Sequence, residues 1–283
     1  MAAGRPRWWE RPWIAPLMVG CVAFLAFSLP PYLTLDESDS RIGIRENVDI
    51  HYPMIVLHIA FGTVALVTSC FQVWPWFRRR HPGAHRRMGR AYVFAGVVPG
   101  SLTGFVVSAL HTQGLVAQTG NFLLAVLWLI TAVAGYRAAR ARRFREHRAW
   151  MIRGFALTTS IVVNRLWILP TWALAEPQLD STFEGSELAM EQSMIGAAVW
   201  LSWVVNLLIA EWWIQYRGRG GKRRGRAGAG RTATAVTAPT ATIPANDSAP
   251  LTTAGSTARS GSTTRTRTGH QATDRQTRGG RAQ

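Results

Sequence analysis

The chain has 283 residues, 48% of them hydrophobic, and a formal net charge of +17. Such a basic balance often marks a nucleic-acid-binding protein. Here, however, the arginines lie at the ends of apolar segments and near the C-terminus, and no apolar segment carries a recognition helix with a basic face. We therefore expect no nucleic-acid partner. The mean hydropathy of +0.04 averages an apolar stretch, Trp13 to Tyr216, with a polar remainder.

Apolar segments long enough to cross a bilayer as helices, which takes roughly 20 residues each, recur along the chain. The first, which follows Arg5, Arg7 and Arg11, has no clear signal-peptide cleavage site after it, so we interpret it as a retained helix. Short connections between the segments favour helical hairpins. The sequence predicts an all-α, polytopic membrane bundle of six transmembrane helices over residues 14–216, preceded by a cytoplasmic flank, residues 1–13. The segments are 14–34, 53–76, 88–110, 120–137, 149–170 and 194–215.

The basic residues predict the orientation of the bundle. The N-terminal flank, the second connection (FRRRHPGAHRRMGR), the fourth (RAARARRFREHR) and the stretch after the last helix are rich in arginine, whereas the other connections are acidic or uncharged. Basic connections stay on the cytoplasmic side. We expect a multi-pass protein of the inner (plasma) membrane with both termini in the cytoplasm.

Residues 217–283 contain almost no large apolar side chains. Such a segment cannot bury enough surface to offset the entropy of ordering. We predict a disordered, basic, cytoplasmic tail rich in Gly, Arg, Thr and Ser. Its basic part, with the basic connections, is expected to contact anionic lipid headgroups.

Four histidines fall within or at the ends of the apolar segments, where polar groups are costly and often functional. The predicted topology places His85 and His147 at the inner face, and His58 and His111 towards the outer face. Two histidines from neighbouring helices are the usual axial ligands of b-type haem. Gly89, Gly96, Gly100 and Gly104 form a small-residue stripe, which either leaves room for a haem or packs against another helix.

A second group of polar residues offers a different centre. Arg165 and Asn164 lie in the fifth segment and Asn206 in the sixth, where they could bind an anionic group of a ligand. Alternatively, Arg165 could extend outward to the acidic fifth connection, and Glu211 could neutralise Arg217. Cys21 and Cys70 are expected at similar depth as small buried residues. No set of Cys, His and carboxylate residues suggests a metal site other than a haem iron held by His85 and His147.

Four motifs, LHIAFG with its later Gln72, HPGAHRRMGRAY, EHRAWMIRGFALT and WVVNLLIAEWW, resemble a family of bacterial membrane proteins catalogued as domain of unknown function 2306. That resemblance implies a multi-pass membrane domain and no activity. A weaker similarity, to the ascorbate-reducible transmembrane cytochromes b, rests on His58, Gly62 and Gln72, the Pro82-Gly83 turn, and His85 with Gly89.

In those cytochromes the two matching histidines ligate different haems, each with a histidine two helices further on. The similarity implies that His147 is the partner of His85. The fourth segment has no histidine to serve His58, so an outer site would depend on His111.

Two function hypotheses follow. The first is a bis-histidine b-type haem protein that transfers electrons in the membrane. The second is a non-redox membrane protein that transports or binds a small anionic or lipid ligand. No catalytic triad or phosphate-binding glycine loop indicates an enzyme class.

Overall fold

The computed structural model describes residues 13–235, with side chains up to Tyr216, and the regular elements of this part are helical. A π-helical turn at Tyr92–Val97 joins α5 to α6, and short 3-10 turns occupy Glu37–Asp39 and Glu176–Gln178. The all-α prediction is therefore confirmed for the described residues. The helices are α1 (Ile14–Ser28), α2 (Pro30–Leu33), α3 (His51–Val73), α4 (Pro75–Arg80), α5 (Pro82–Ala91), α6 (Val98–Ala109), α7 (Gly114–Arg140), α8 (Phe144–Thr158), α9 (Ser160–Ala175) and α10 (Glu187–Ala235).

Four of these helices are long and apolar enough to cross a membrane: α3, the continuous α5–α6 rod, α7 and the Glu187–Tyr216 part of α10. The pair Phe144–Thr158 and Ser160–Gln178, bent by 46°, makes a fifth if it is one span. Each of the six predicted segments is helical, but α1 has only 15 residues, because the helix is interrupted at Leu29 before Pro30. By length and composition the described residues contain four helices that could cross a membrane, or five if the bent pair is one span.

The predicted tail, residues 217–283, lies mostly outside the described residues. The backbone of α10 continues as far as Ala235. Residues 1–12 of the predicted N-terminal flank also lie outside the described part.

The glycine stripe of the α5–α6 rod packs against α3. A Cβ atom added to Gly96 would lie 2.9 Å from the Cα of Ala65, and one added to Gly104 would lie 3.1 Å from Cε1 of His58. Gly89 similarly faces the Gln72 side chain at 3.5 Å. Small residues permit this close approach of two helix backbones. The stripe therefore serves helix packing along α3.

The π-helical turn has its cause in Pro99. Proline has no N–H to donate, and its ring disturbs the preceding turn of a helix. The N–H of Val98 bonds to the carbonyl of Val93, five residues back instead of four. Single π turns of this kind occur where the regular ladder is interrupted. Tyr92, at the start of the turn, is 1% exposed and belongs to the main core.

Several helices each contribute one face to the main core, which includes Tyr92, Trp128, Leu157 and Trp203. Buried hydroxyl groups within it bond to carbonyls three or four residues earlier on their own helices, as Thr131 does to Trp128 at 2.9 Å. Hydrocarbon supplies no hydrogen-bonding partner, so such internal bonds let Thr and Ser lie inside a span.

Candidate functional site

Two of the predicted histidines lie together at the arginine-rich end of the bundle. His85 is in the first turn of α5 and His147 in the first turn of α8. Both side chains are half-buried, and they are near enough for the charge of one to act on the other. Two loops far apart in sequence therefore contribute one histidine each to the same region.

The hydrogen bond of His147 determines which ring nitrogen is protonated. Nδ1 of His147 lies 2.9 Å from the carbonyl oxygen of Gly135 on α7. A carbonyl oxygen can only accept, so Nδ1 is the donor and Nε2 of the neutral ring keeps its lone pair. This is the tautomer of a histidine that ligates a metal through Nε2, with the carbonyl as its orienting partner.

His85 is held by its backbone. The side-chain amide of Gln72 donates to the carbonyl oxygen of His85 at 2.9 Å, which ties the start of α5 to the end of α3. Nδ1 of His85 is buried and has no hydrogen-bonding partner among the described residues. Most buried polar atoms in proteins are hydrogen-bonded; Nδ1 of His85 is one of six among the described residues that are not. Arg78 and Arg86 act on it electrostatically.

The residues at this end provide two imidazoles and no larger ligand set. Within residues 13–216, no three or more His, Cys, Asp and Glu side chains are arranged so that they could hold a metal ion. A structural zinc ion needs four protein ligands, whereas haem brings four nitrogens of its own and needs only two axial ligands. Two imidazoles, such as those of His85 and His147, are the number of axial ligands that a b-type haem takes from the protein.

His58 lies deeper, on the face of α3 that meets α6. Its Nδ1 donates to the carbonyl oxygen of Gly100 at 2.8 Å, so its Nε2 also keeps a lone pair. Its ring, however, packs against Gly104, and a Cβ on Gly100 would lie 3.1 Å from the Trp128 ring. The space that the glycines leave is thus filled by protein side chains.

The structure places His111 beside His51 rather than beside His58. His111 follows Gly104 by seven residues, about 10 Å of helical rise. The charge of His51 acts on His111, and burial together with that charge lowers the pKa of His111. Nδ1 of His111 accepts from the N–H of Gln113 at 3.1 Å, so Nε2 carries the proton of the neutral ring.

His51, which the sequence reasoning missed, is buried at the start of α3. Its Nδ1 accepts from the N–H of Arg45 at 2.9 Å, and its Nε2 is buried without a partner among the described residues. Because His51 follows the acidic first connection, its position in the sequence did not indicate that its side chain is buried. In both neutral rings Nδ1 accepts a hydrogen bond and Nε2 carries the proton. His51 and His111 are therefore not in the tautomer that ligates a metal through Nε2.

The polar centre predicted from Arg165, Asn164 and Asn206 is not brought together. The side-chain amide of Asn206 donates to the carbonyl oxygen of Ala156 at 3.1 Å, nine residues before Arg165 and on the other side of the Thr159 bend. Arg165 is exposed and interacts with Tyr32 and Arg41, whereas Asn164 is half-buried. These residues lie at two separate depths.

Two polar contacts between helices were also missed. Glu211 pairs with Arg153 on α8, and Arg153 lies 4.7 Å above the Trp150 ring. The side chain of Arg217, which the sequence offered as a partner for Glu211, lies outside the described residues. Arg153 lies near the start of the predicted fifth segment, 149–170, just after the basic fourth connection, so its position did not indicate a partner on the last helix. The other contact joins Tyr92, Trp128 and Thr158 through the Thr158 hydroxyl.

Comparison with known proteins agrees with a membrane domain of undefined activity. No curated protein and no solved structure matches the chain, so the similarity to cytochromes b rests on residue spacing alone. The family described as "Predicted membrane protein (DUF2306)" matches residues 55–214, which include His58, His85 and His147. Because this match covers more than half of the 283 residues, the chain belongs to that family of membrane proteins.

Proposed function

We propose that this protein is a membrane electron-transfer protein that holds one b-type haem between His85 and His147. The observation that carries the proposal is the hydrogen bond from Nδ1 of His147 to the carbonyl oxygen of Gly135. It fixes the imidazole in the ligating tautomer and directs Nε2 away from α7. Bound haem b would supply reversible one-electron transfer inside the bilayer.

The protein's contribution is to position the two rings. Gly135 allows α8 to approach α7 closely, since a Cβ at this position would lie 2.9 Å from Sδ of Met151. Gln72 fixes the start of α5 through the His85 carbonyl. Arg78 and Arg86, which act on His85 electrostatically, supply positive charge suited to the propionate groups of a haem.

The proposal includes a topology. Six membrane-crossing segments, with α1 and α2 as the first, would place both termini and the His85–His147 end in the cytoplasm. The arginines of the α4–α5 and α7–α8 connections lie at this end. They agree with the rule for cytoplasmic loops and would contact anionic lipid headgroups.

His58 and His111, the predicted outer pair, give weaker support for haem binding. His58 has a suitable tautomer but faces Gly104 and Gly100 without free space, and His111 has its Nδ1 occupied as an acceptor. A second haem at His58 and His111 would require His111 to change its hydrogen-bond partner and the side chains around His58 to move. We therefore assign one haem, at the inner end.

An absorption spectrum of the detergent-purified protein tests the proposal. Protein from cells supplied with haem should show a sharp reduced-minus-oxidised band after dithionite, and His85→Ala or His147→Ala should abolish it. His81→Ala is a matched control, because His81 lies in the same arginine-rich connection but is exposed and packs on Trp76 and Phe77. A colourless wild type, or a band that survives in both variants, would refute haem binding.

The alternative is a non-redox protein that binds a small anion or a lipid headgroup at Arg165. One observation favours it: Arg165 is exposed on α9 and has no ion pair or hydrogen bond among the described residues. Asn164 is its neighbour, whereas Asn206 is too distant to share the ligand. Retention of anionic lipid that falls in Arg165→Gln, in a colourless protein, would favour this function.

A further inference from the structure

The chain's two cysteines meet inside the bundle. Cys21 lies on α1 and Cys70 on α3, and their sulfur atoms are 3.6 Å apart. Each is only 4% exposed, and the sequence contains no other cysteine. Both are free thiols. Burial of a single cysteine needs no explanation, but contact between the only two, 49 positions apart, places a pair of reactive groups together.

The cysteine pair lies where α1 packs against the rest of the bundle. Cys21, Leu66 and Cys70 form a small cluster separate from the main core, with Leu17, Leu25 and Val162 packed around it. Apart from α2, the helices that α1 contacts most are α3 and α9. This apolar helix of 15 residues is therefore held by modest packing.

We propose that Cys21 and Cys70 are a modification site, a dithiol that oxidises to an intramolecular disulfide and covalently fixes α1 to α3. The co-reactant is hydrogen peroxide, a small neutral oxidant that can enter the bilayer. One sulfur attacks the peroxide, the O–O bond breaks, and a sulfenic acid forms with release of water.

The second sulfur then displaces the hydroxyl group of the sulfenic acid. The S–S bond forms, the S–O bond breaks, and a second water molecule leaves. In total two thiols lose two hydrogens and one peroxide becomes two waters. Closure from 3.6 Å to a bond of about 2.05 Å needs only a small movement of the two side chains. The inference does not depend on haem.

Thiol counting on the full chain in native membranes tests the proposal. Membranes are treated with peroxide, acid-quenched and denatured in SDS, and remaining thiols are then labelled with a maleimide–polyethylene glycol that retards migration. Untreated protein should carry two labels and oxidised protein none, with both labels restored by dithiothreitol. The oxidised protein should also melt several degrees higher than the reduced protein, because a cross-link restricts the unfolded chain.

The variant Cys70→Ala with Val67→Cys is the control, since Val67 lies one turn earlier on α3 and is 40% exposed. It should keep both labels after oxidation. Three outcomes would overturn the proposal. The oxidised wild type could keep both labels, or the control pair Cys21 and Val67→Cys could form a disulfide to the same extent. Oxidation could also give covalent dimers in place of an internal bond.

Discussion

Gly96 and Ala65 are in contact so close that a Cβ atom on Gly96 would lie 2.9 Å from both Cα and Cβ of Ala65. The neighbouring atoms belong to the α3 backbone and cannot rotate away. Gly96→Ala should therefore separate α3 from the α5–α6 rod and lower the free energy of unfolding by about 1–3 kcal/mol. Thermal unfolding in detergent, followed by circular dichroism, measures the loss.

Gly62→Ala is the matched control for this prediction. Gly62 lies on α3, within a turn of Ala65, but a Cβ there would meet nothing within 4 Å. Because alanine favours a helix over glycine, this variant should be as stable as the wild type or slightly more so. Equal losses for the two substitutions would show that the close contact does not determine the cost.

The Thr158 hydroxyl joins three helical segments. It donates to the Gly154 carbonyl at 2.8 Å and accepts from the Trp128 indole at 2.9 Å, so its one proton is used and the Tyr92 hydroxyl must be the donor in their 2.9 Å bond. Thr158→Val would leave the Tyr92 and Trp128 donors without an acceptor. We expect a loss of about 2–4 kcal/mol, against about 1 kcal/mol for Tyr92→Phe, which removes only one bond.

Chemical unfolding of these variants in a mild detergent, compared with the wild type, measures the difference. Thr63→Val provides the baseline, because the Thr63 hydroxyl bonds only to the carbonyl of Ile59 on its own helix. That variant should stay within about 0.5 kcal/mol of the wild type. If Thr158→Val were no more costly than Thr63→Val, the three-residue network would not stabilise the core.

Arg153 and Glu211 form an ion pair between α8 and α10, with side-chain exposures of 23% and 34%. Removal of one partner leaves a partly buried charge unpaired, so Arg153→Met and Glu211→Gln should each cost about 1–2 kcal/mol after allowance for solvent screening. The double variant should cost less than the sum, with a coupling of about 1 kcal/mol. Strictly additive losses in thermal unfolding would contradict a direct interaction.

The folded protein should lose stability in mild acid partly through His111. Burial, then the charge of His51, lowers the pKa of His111 below that of the unfolded chain. The unfolded state therefore binds a proton first as the pH falls, so the contribution is complete above about pH 6.5 and declines below it. Melting temperatures from pH 8 to pH 5 should fall less for His111→Gln than for the wild type; parallel curves would contradict the assignment.

The sequence predicts the bundle well because apolar length and arginine placement act over whole segments. Each predicted segment is helical, and the glycine positions match the helix-packing alternative. The same reasoning predicts His85 and His147 at one end of the bundle, because the basic connections that carry them are expected on one side of the membrane. Local chemistry at the ends of the helices is harder to predict, because the histidine tautomers depend on carbonyls such as that of Gly135.

The arrangement of the polar side chains is harder to predict, for specific physical reasons. The predicted depths of His58 and His111 are similar, but in the structure burial and the charge of His51 act on His111. The fifth segment bends by 46° at Thr159, and no proline or glycine stands at that break to signal it. Asn206 bonds to Ala156 before the bend, whereas Asn164 and Arg165 follow it.

The π turn before Pro99 also determines which residues of the α5–α6 rod lie on the same face. From His85 to Gly104 is nineteen positions, and at about 100° per residue a regular helix would leave these two residues roughly a quarter turn apart. The π-helical turn accommodates one extra residue, which brings His85 and Gly104 back onto the same side of the rod. The half of the rod before the turn, with Gly89 opposite Gln72, and the half after it, with Gly104 opposite His58, can thus face α3 together. Deletion of a single residue between Tyr92 and Val97 would therefore turn one half away from α3.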